Sequence, residues 1–523
     1  MTTSDAVISA LQTEIPELLE KHSLPGLAVG ICDASAIIWS AGFGTTRAAG
    51  TQPITSRTMF SVQSCSKMYT ATAVMLAVQR GFVDLDTPIV DYLPEFTVHS
   101  RFEKRPESTI TLRHLLSHTA GFTHEAPVGS NFRIGKASFT AHCQSISDTW
   151  LRFPVGHHYE YSNLGIDLAG YVLQGVSGLP FPEFVRREVL APLELARTTF
   201  DHHVVSAEPD RAVGHDRSLG PRVPLRIPMV AAGAVYTSAE DACRYLQLHL
   251  SGGSGLLEPS VIAEMYRIPF AAPGQIGGYG LGISIGAWDG LAVRGHSGGG
   301  FGFLCDMYVA PDHGIGVVVL TNSVNAPEAL HLTGRIMRNL VGDITRESVG
   351  LPESVAVGRA DIDRIAGEYV GRGNDTVELV AAGSGAVLCR SEARHTLRFV
   401  DRAEFVTESD SPERYRVLDD ESGMYLLRLD DGYVRYRNDV PSGGEPQAPD
   451  GPWNRDYVVR VNGITIDTVR LRRENDVALI DRQPGPRALR LEKHSTGRYF
   501  SSTGELLDLT KSPPTYANVR LHE

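Results

Sequence analysis

Ser64-Cys-Ser-Lys67 is the one S-x-x-K in the chain. On a helix, a three-residue step puts a hydroxyl and an amine on one face, within reach of each other. A desolvated amine can then take the hydroxyl proton and turn the serine into a nucleophile. A backbone N–H at a helix start is also free to stabilise an oxyanion. The same tetrapeptide reads equally as an N-capping serine followed by a lysine whose stem lies along apolar surface. Two later segments bear on the choice. Tyr161-Ser-Asn163 offers a phenol that can shuttle protons beside a lysine, and an amide that can orient the amine or touch substrate. His296-Ser297-Gly298, inside Arg294-Gly-His-Ser-Gly-Gly-Gly-Phe-Gly302, offers glycines that let a substrate approach a strand edge, where a free N–H supplies a second oxyanion donor.

Each segment has competitors within the chain. Y-x-N recurs at Tyr436-Arg-Asn438 and Tyr516-Ala-Asn518, in a β-rich tail where a packing role is expected. Gly295, Ser297 and Gly299 also spell G-x-S-x-G, but a nucleophile elbow must lead into a helix, and Ser297 leads through glycines into a strand. His118, in Ser117-His-Thr119, reads as a satisfied structural histidine. His157-His158 and His202-His203 read as solvated pairs that require no metal.

The elements that must position these residues follow from periodicity. Thr2 to His22 reads as an amphipathic helix carrying Val7, Ile8, Leu11, Ile15, Leu18 and Leu19 on one face. Gly26–Cys32 and Ala36–Ala41 read as one strand pair. Phe303–Val309 and Gly316–Thr321 read as another, with Asp312-His-Gly314 as the turn. Met59–Val62 leads as a strand into the Ser64 helix, which Gly81 ends. The expected fold is α+β: an antiparallel sheet built from both ends of residues 1–345, helices on its faces, and an inserted helical region. Residues 346–360 read as a linker. From 361 to 523, short alternating segments about ten residues apart predict an all-β barrel or sandwich, interrupted by a long loop from Pro441 to Pro452.

Composition narrows the partners. The 523 residues carry 49 basic and 61 acidic side chains, a net charge of −12, which argues against nucleic acid or an anionic membrane. No apolar run approaches the ~20 residues of a membrane span, and the N-terminus lacks the basic and apolar regions of a signal peptide. The six cysteines are scattered singly and read as buried free thiols, which points to the cytoplasm. No cofactor or metal is expected. Only six lysines occur, which draws attention to Lys67.

S-x-x-K, Y-x-N and H-x-G in this order and spacing resemble the class C β-lactamase and penicillin-binding-protein-like serine hydrolases. The resemblance covers about residues 20–345. It extends to Ile110-Thr-Leu-Arg-His-Leu-Leu-Ser-His-Thr-Ala-Gly-Phe122, to Tyr161 through Leu195, to Gly233–Asp241 and to Tyr279-Gly-Leu-Gly282. It implies Ser64 as acylated nucleophile, Lys67 as its base, Tyr161 as second proton-transfer group, and Asn163 as holder of the lysine and substrate contact. It implies the N–H groups of Ser64 and Gly299 as oxyanion hole, with Ser297, Gly298 and Gly299 along the substrate. His296 stands where true β-lactamases carry a lysine, which turns the resemblance toward D-aminopeptidases and D-amino-acid amidases, some of which append lipocalin-like barrels, and residues 361–523 fit one or two such units. With an ordinary imidazole pKa of about 6.5, His296 would be neutral at pH 7 and would regain attraction for carboxylates as pH falls. The expected activity is D-amino-acid-specific amidase or aminopeptidase action on small amides or short peptides. A carboxylesterase and a peptide cyclase or acyltransferase are the alternatives within the same chemistry, and a non-catalytic binding protein is the alternative outside it. The tail leaves a homodimer open.

Overall fold

The computed structural model describes residues 3–129, 137–216, 226–288, 290–325, 328–342, 353–371, 375–383, 385–391, 393–409, 412–420, 423–438, 455–461, 464–474, 477–483, 489–495, 497–501 and 503–522. In chain order, the elements that build the first part are α1 (Thr3–His22), β1 (Gly26–Cys32), β2 (Ile37–Gly44), α2 (Ser66–Gln79), α3 (Asn163–Ser177), α4 (Val230–Gly233), α5 (Ala239–Leu250), β3 (Gly278–Tyr279), β4 (Ser284–Trp288), β5 (Leu291–Gly300), β6 (Phe303–Ala310), β7 (Ile315–Thr321) and α6 (Glu328–Val341). The strands form one antiparallel sheet in the order β2-β1-β7-β6-β5-β4-β3. Both ends of the segment therefore meet at its centre, where Leu27 pairs with Thr321 and Cys32 with Gly316.

β1 is buried along its whole length because helices cover both faces. Leu27, Val29 and Ile31 pack with Val7, Leu11, Ile15 and Leu19 of α1 and with Leu332 and Ile336 of α6. Ala28 and Cys32 point the other way, toward Ala242, Cys243 and Leu246 of α5. Gly30 faces α5 as well, and a Cβ there would come within 2.4 Å of Cys243 Sγ. Of the helical face read for α1, Ile8 and Leu18 are only half-buried; the other four are core. The helices between β2 and β3 form the inserted region that carries α2 and α3.

Residues 343–352, which include the first seven of the expected linker, and the loop from Pro441 to Pro452 lie outside the described residues. The helix Arg359–Ile365 begins within the expected linker, and its Ile362 and Ile365 join the barrel core. Eight strands from Gly367–Val370 to Val434–Arg437 close into a barrel with consecutive neighbours, Val370 pairing with Tyr436. Eight more, from Arg455–Val461 to Val519–Arg520, form a second meander. Val458 exchanges backbone hydrogen bonds of 2.6 and 2.9 Å with His522, so this sheet curls until its two ends meet. The tail thus holds two rolled sheets, with more strands than the alternating apolar segments indicate.

Both rolled sheets dock onto the first part, and Arg152 stands where all three meet. Its side chain is 9% exposed and pairs with Glu160 at 3.2 Å and with Glu505 of the second sheet at 3.1 Å. It donates twice to Thr503 O, at 2.9 and 2.8 Å, and lies 5.4 Å from the ring centre of Tyr436 on the first barrel. His158, read from sequence as solvated, is instead buried in this junction. It stacks on Phe153 at 3.8 Å and sits 3.1 Å from Tyr436 Oη, and burial with His157 and Arg152 nearby pushes its pKa well down. Arg152→Met would leave Glu160 and Glu505 in a dry site without their cation. Stability should fall by about 3–5 kcal/mol, read from the denaturant midpoint of the purified variant.

Candidate active site

Ser64 lies in a single turn of 3₁₀-helix, Gln63–Cys65, which runs directly into α2. The chain enters this turn through Gln63 in the left-handed region, φ 45°, so the nucleophile candidate precedes the α-helix instead of opening it. Lys67 is the second residue of α2 and is fully buried, while Ser64 is partly exposed. Gly81 ends α2 as expected, with φ 72° and Phe82 N–H bonded to Ala77 O.

Three elements converge on the Lys67 amine. Its Nζ lies 3.2 Å from Ser64 Oγ, 2.8 Å from Asn163 Oδ1 and 2.9 Å from Ala232 O. On the other side of the Ser64 hydroxyl, Tyr161 Oη approaches Ser64 Oγ at 2.7 Å. The Asn163 and Ala232 oxygens can only accept, so they take two N–H bonds of the amine and leave its third position facing Ser64. A lone pair there accepts the serine proton, and an ammonium N–H there gives it back. One proton can therefore move between Lys67 and Ser64 without any other bond rearranging.

The local sequence explains this convergence. Ser162 caps α3, its Oγ accepting from Leu164 N–H at 3.2 Å and donating to Thr123 O at 2.6 Å. Its neighbours Tyr161 and Asn163 are thereby fixed on either side of the cap. One turn into α3, the buried Asp167 accepts from Ala232 N–H at 3.0 Å, which aims the Ala232 carbonyl at Lys67. The other carboxylate oxygen of Asp167 meets His142 Nε2 at 3.1 Å. Burial disfavours a charge on that imidazole, but Asp167, Val128 O and Glu125 outweigh it and hold the His142 pKa above its usual value. His118 acts as wall and support. Its Nδ1 accepts from Ser162 N–H at 3.2 Å, and its ring packs 4.5 Å from both Tyr161 and Tyr279.

β5 brings the third segment. The β4 ladder ends at the Ser284–Gly295 pair, so from His296 onward the β4-side edge of β5 runs past the nucleophile turn. A Cβ on Gly298 would sit 2.2 Å from Val62 O and 3.1 Å from Ser64 N, an approach that only glycine permits. Two buried thiols pin the strand there, Cys65 Sγ to His296 O at 3.0 Å and Cys305 Sγ to Val62 O at 2.9 Å. The cysteines are free, and five of the six are buried. Ser297 lies within the strand, 3.1 Å from Tyr308 Oη, and leads into no helix; Gly299 beside it is exposed.

His296 departs from its expected titration. The imidazole is buried, with Nδ1 against Ser297 O and Nε2 2.8 Å from Tyr279 Oη. A carbonyl can only accept, so Nδ1 carries the proton and Nε2 accepts from the tyrosine. Burial, then the nearby Lys67, push its pKa to about 3, with the Ser297 carbonyl offsetting part of this. It therefore stays neutral where an ordinary histidine charges, and the recovery expected on acidification does not follow from it.

Tyr279 and Ala232 join the site without a sequence signal of their own. Tyr279 stands out in sequence only as part of a Tyr-Gly-Leu-Gly run, and a backbone carbonyl such as that of Ala232 has no residue-type signature. Among the described residues, Asp201, His202 and His203 form the one group with three ligand atoms within 4.8 Å, but Asp201 already caps its own helix through His203 N–H. Behind Ser297, Asp306 is buried, and burial raises its pKa to about 6, with Ser297, Thr333 and His331 offsetting part of the rise. A raised carboxyl favours the folded state when protonated. That stability is full below pH 3.8 and is lost as pH climbs to about 6. Asp306→Asn should flatten this part of the stability profile, measured by urea unfolding from pH 4 to 7.

Comparison with known proteins places these features in a wider group. A family model described as Beta-lactamase matches residues 11–340. Penicillin-binding protein 4 of Amycolatopsis lactamdurans is 25% identical over 374 residues, covering 66% of this chain and 92% of that protein. Among solved structures, the octameric penicillin-binding protein homologue from Pyrococcus abyssi superposes with a TM-score of 0.56 at 22% identity, covering 82% of this chain and 99% of its own. The D-amino acid amidase from Ochrobactrum anthropi SV3, complexed with D-phenylalanine, gives 0.54 at 20% identity, covering 65% and 100%. EstCE1, a hydrolase with promiscuous acyltransferase activity, gives 0.52 at 21%, covering 65% and 99%. These three likenesses are likenesses of fold.

Proposed function

The chain belongs to the beta-lactamase family of serine hydrolases, and on that premise we propose that it cleaves small D-amino-acid amides or short peptides through an acyl-enzyme on Ser64. The observation that carries this reading is the single oxygen of Ser64 held between Tyr161 and Lys67, with the lysine's other two bonds on proton-free acceptors. Ser64 Oγ attacks the acyl carbon and its proton passes to the neutral Lys67 amine. Tyr161 protonates the leaving nitrogen as the C–N bond breaks, becoming a phenolate beside the new ammonium, whose nitrogen lies 4.8 Å from the ring centre. Water then gives a proton to Tyr161 and attacks the acyl carbon, and Lys67 returns its proton to Ser64 as the ester opens. The N–H groups of Ser64 and Gly299 are assigned to the oxyanion, with Ser297, Gly298 and Asn163 along the substrate.

The leaving-group side supports an uncharged substrate. His296 is neutral there, and behind Ser297 lies the Asp306 carboxyl, so neither group attracts an anion. A charge-assisted contact of the kind a lysine would make is worth about 1.5–3 kcal/mol, and a carboxylate-bearing drug gains none of it from these two. The same uncharged side fits ester leaving groups, which makes a carboxylesterase the second reading.

A fluorophosphonate should label the wild type at Ser64 and leave Ser64→Ala unlabelled; label on Ser297 would overturn the assignment. Lys67→Arg should be nearly as damaging as Lys67→Ala, since a guanidinium keeps the charge but cannot accept the proton, with losses on the order of 10²–10⁴-fold in kcat.

A separate prediction concerns selectivity. The ratio of kcat/KM for a cephalosporin to that for a neutral ester should be low. Its pH dependence between 5 and 8 should be the same in His296→Gln, a side chain that cannot charge. If that dependence vanished in the variant, an imidazolium would be the group that binds carboxylates.

A further inference from the structure

The last rolled sheet touches the candidate site through two arms that end on the same tyrosine. In the first, Glu505 Oε2 accepts from Thr123 Oγ1 at 2.7 Å, and Thr123 O accepts from Ser162 Oγ at 2.6 Å. Ser162 is the cap between Tyr161 and Asn163. In the second, Asn518 Nδ2 donates to Glu125 O at 3.0 Å. The Glu125 carboxylate lies 2.6 Å from His124 Nδ1, and the His124 ring stacks over Tyr161 at 5.9 Å with the planes 26° apart.

The backbone of the tail is shaped for these contacts. Asn518 stands at the tip of a two-residue hairpin between Thr515–Tyr516 and Val519–Arg520, with φ 49° at Ala517 and 64° at Asn518. This is the left-handed pair that a tight hairpin requires, and it drives the asparagine amide outward. Glu505 follows Gly504, where φ is 78° and a Cβ would sit 2.5 Å from Arg152 O. That close approach presses the turn against the segment carrying Arg152. Thr123 and Glu125 are themselves buried, so the loop between His118 and Glu125 is held between α3 and the tail.

We infer that Glu505 and Asn518 are positioning residues for Tyr161, holding the 118–125 loop so that its phenol keeps its placement beside Ser64. This rests on the acyl-enzyme reading above. It assigns the second sheet a part in turnover in addition to its part in stability. A proton donor displaced by even ~1 Å loses rate steeply, on the order of 10²-fold, so partial loosening through one arm should cost about ten-fold in acylation rate.

The test uses the full chain and the second-order rate of Ser64 acylation by an activated neutral ester. Thr123→Val removes the hydroxyl of the first arm and leaves the Arg152–Glu505 pair in place. Asn518→Ala removes the second arm. Each should slow acylation about ten-fold, with KM little changed, and the two together should slow it further. Repeated in a Tyr161→Phe background, the same substitutions should have little effect, because the group they position is already gone. Equal losses with and without Tyr161, or a lowered melting temperature at an unchanged acylation rate, would overturn the inference and leave the tail a purely structural support. A wild type that is not acylated at Ser64 at all would instead remove the hydrolase reading on which it stands.

Discussion

A lysine amine buried without exposure must find partners for each of its bonds, and around Lys67 that requirement organises the centre of the molecule. Ser64, Asn163 and Ala232 come from three separate segments, and none of them is near another in sequence except Ser64 and Lys67. To bring them together, α3 must start at Asn163 and α4 must be turned by Asp167. β5 must also pass close enough to the nucleophile turn that Gly298 cannot be any other residue. Helix α2, buried from Ser66 to Ala77, is the axis of this arrangement. Gly282, with φ 73°, lets the β3–β4 connection press within 2.3 Å of Ala71 at the position a Cβ would occupy.

Much of this is legible in the sequence, because it is written in residue type and period. The S-x-x-K step and the two strand pairs that close the sheet from both ends are local signals. The helix stop at Gly81 is another. What sequence could not supply is the environment of each group. His296 was readable as a histidine in place of a lysine, but its burial, its bond to Tyr279 and the consequent loss of basicity depend on residues that only the fold brings near. The Ala232 carbonyl could not be found at all, since every residue has one. His158 reads as solvated in sequence for the same reason: the surface it occupies is covered by Tyr436, nearly three hundred residues away.

The tail was the least legible part, and the reason is its strands. Segments such as Arg414-Tyr-Arg-Val-Leu-Asp-Asp and Val469-Arg-Leu-Arg-Arg alternate apolar residues with arginine, so the buried side is thin in sequence and the outer side looks like loop. Rolled sheets of this kind need only one buried face, and described arginines on the other face pair with neighbouring carboxylates. Arg416 pairs with Glu404, and Arg470 bonds Asp456 across strands. Alternation at period two is therefore present throughout, but written half in charge.

Arg152 has a consequence for how such a chain can change over generations. Its charge is paired both with Glu160 of the first part and with Glu505 of the second sheet, while a tyrosine from the first barrel covers it. A lineage that discarded the tail, or exchanged it for another, would inherit a guanidinium stranded at a newly bared surface and a Glu160 left to pair with it alone. Modules joined by an exposed linker can be shuffled freely; modules joined through one shared buried ion cannot. Substitutions at positions 152, 160, 436 and 505 are thus coupled through one buried guanidinium, whose surroundings each of them would change.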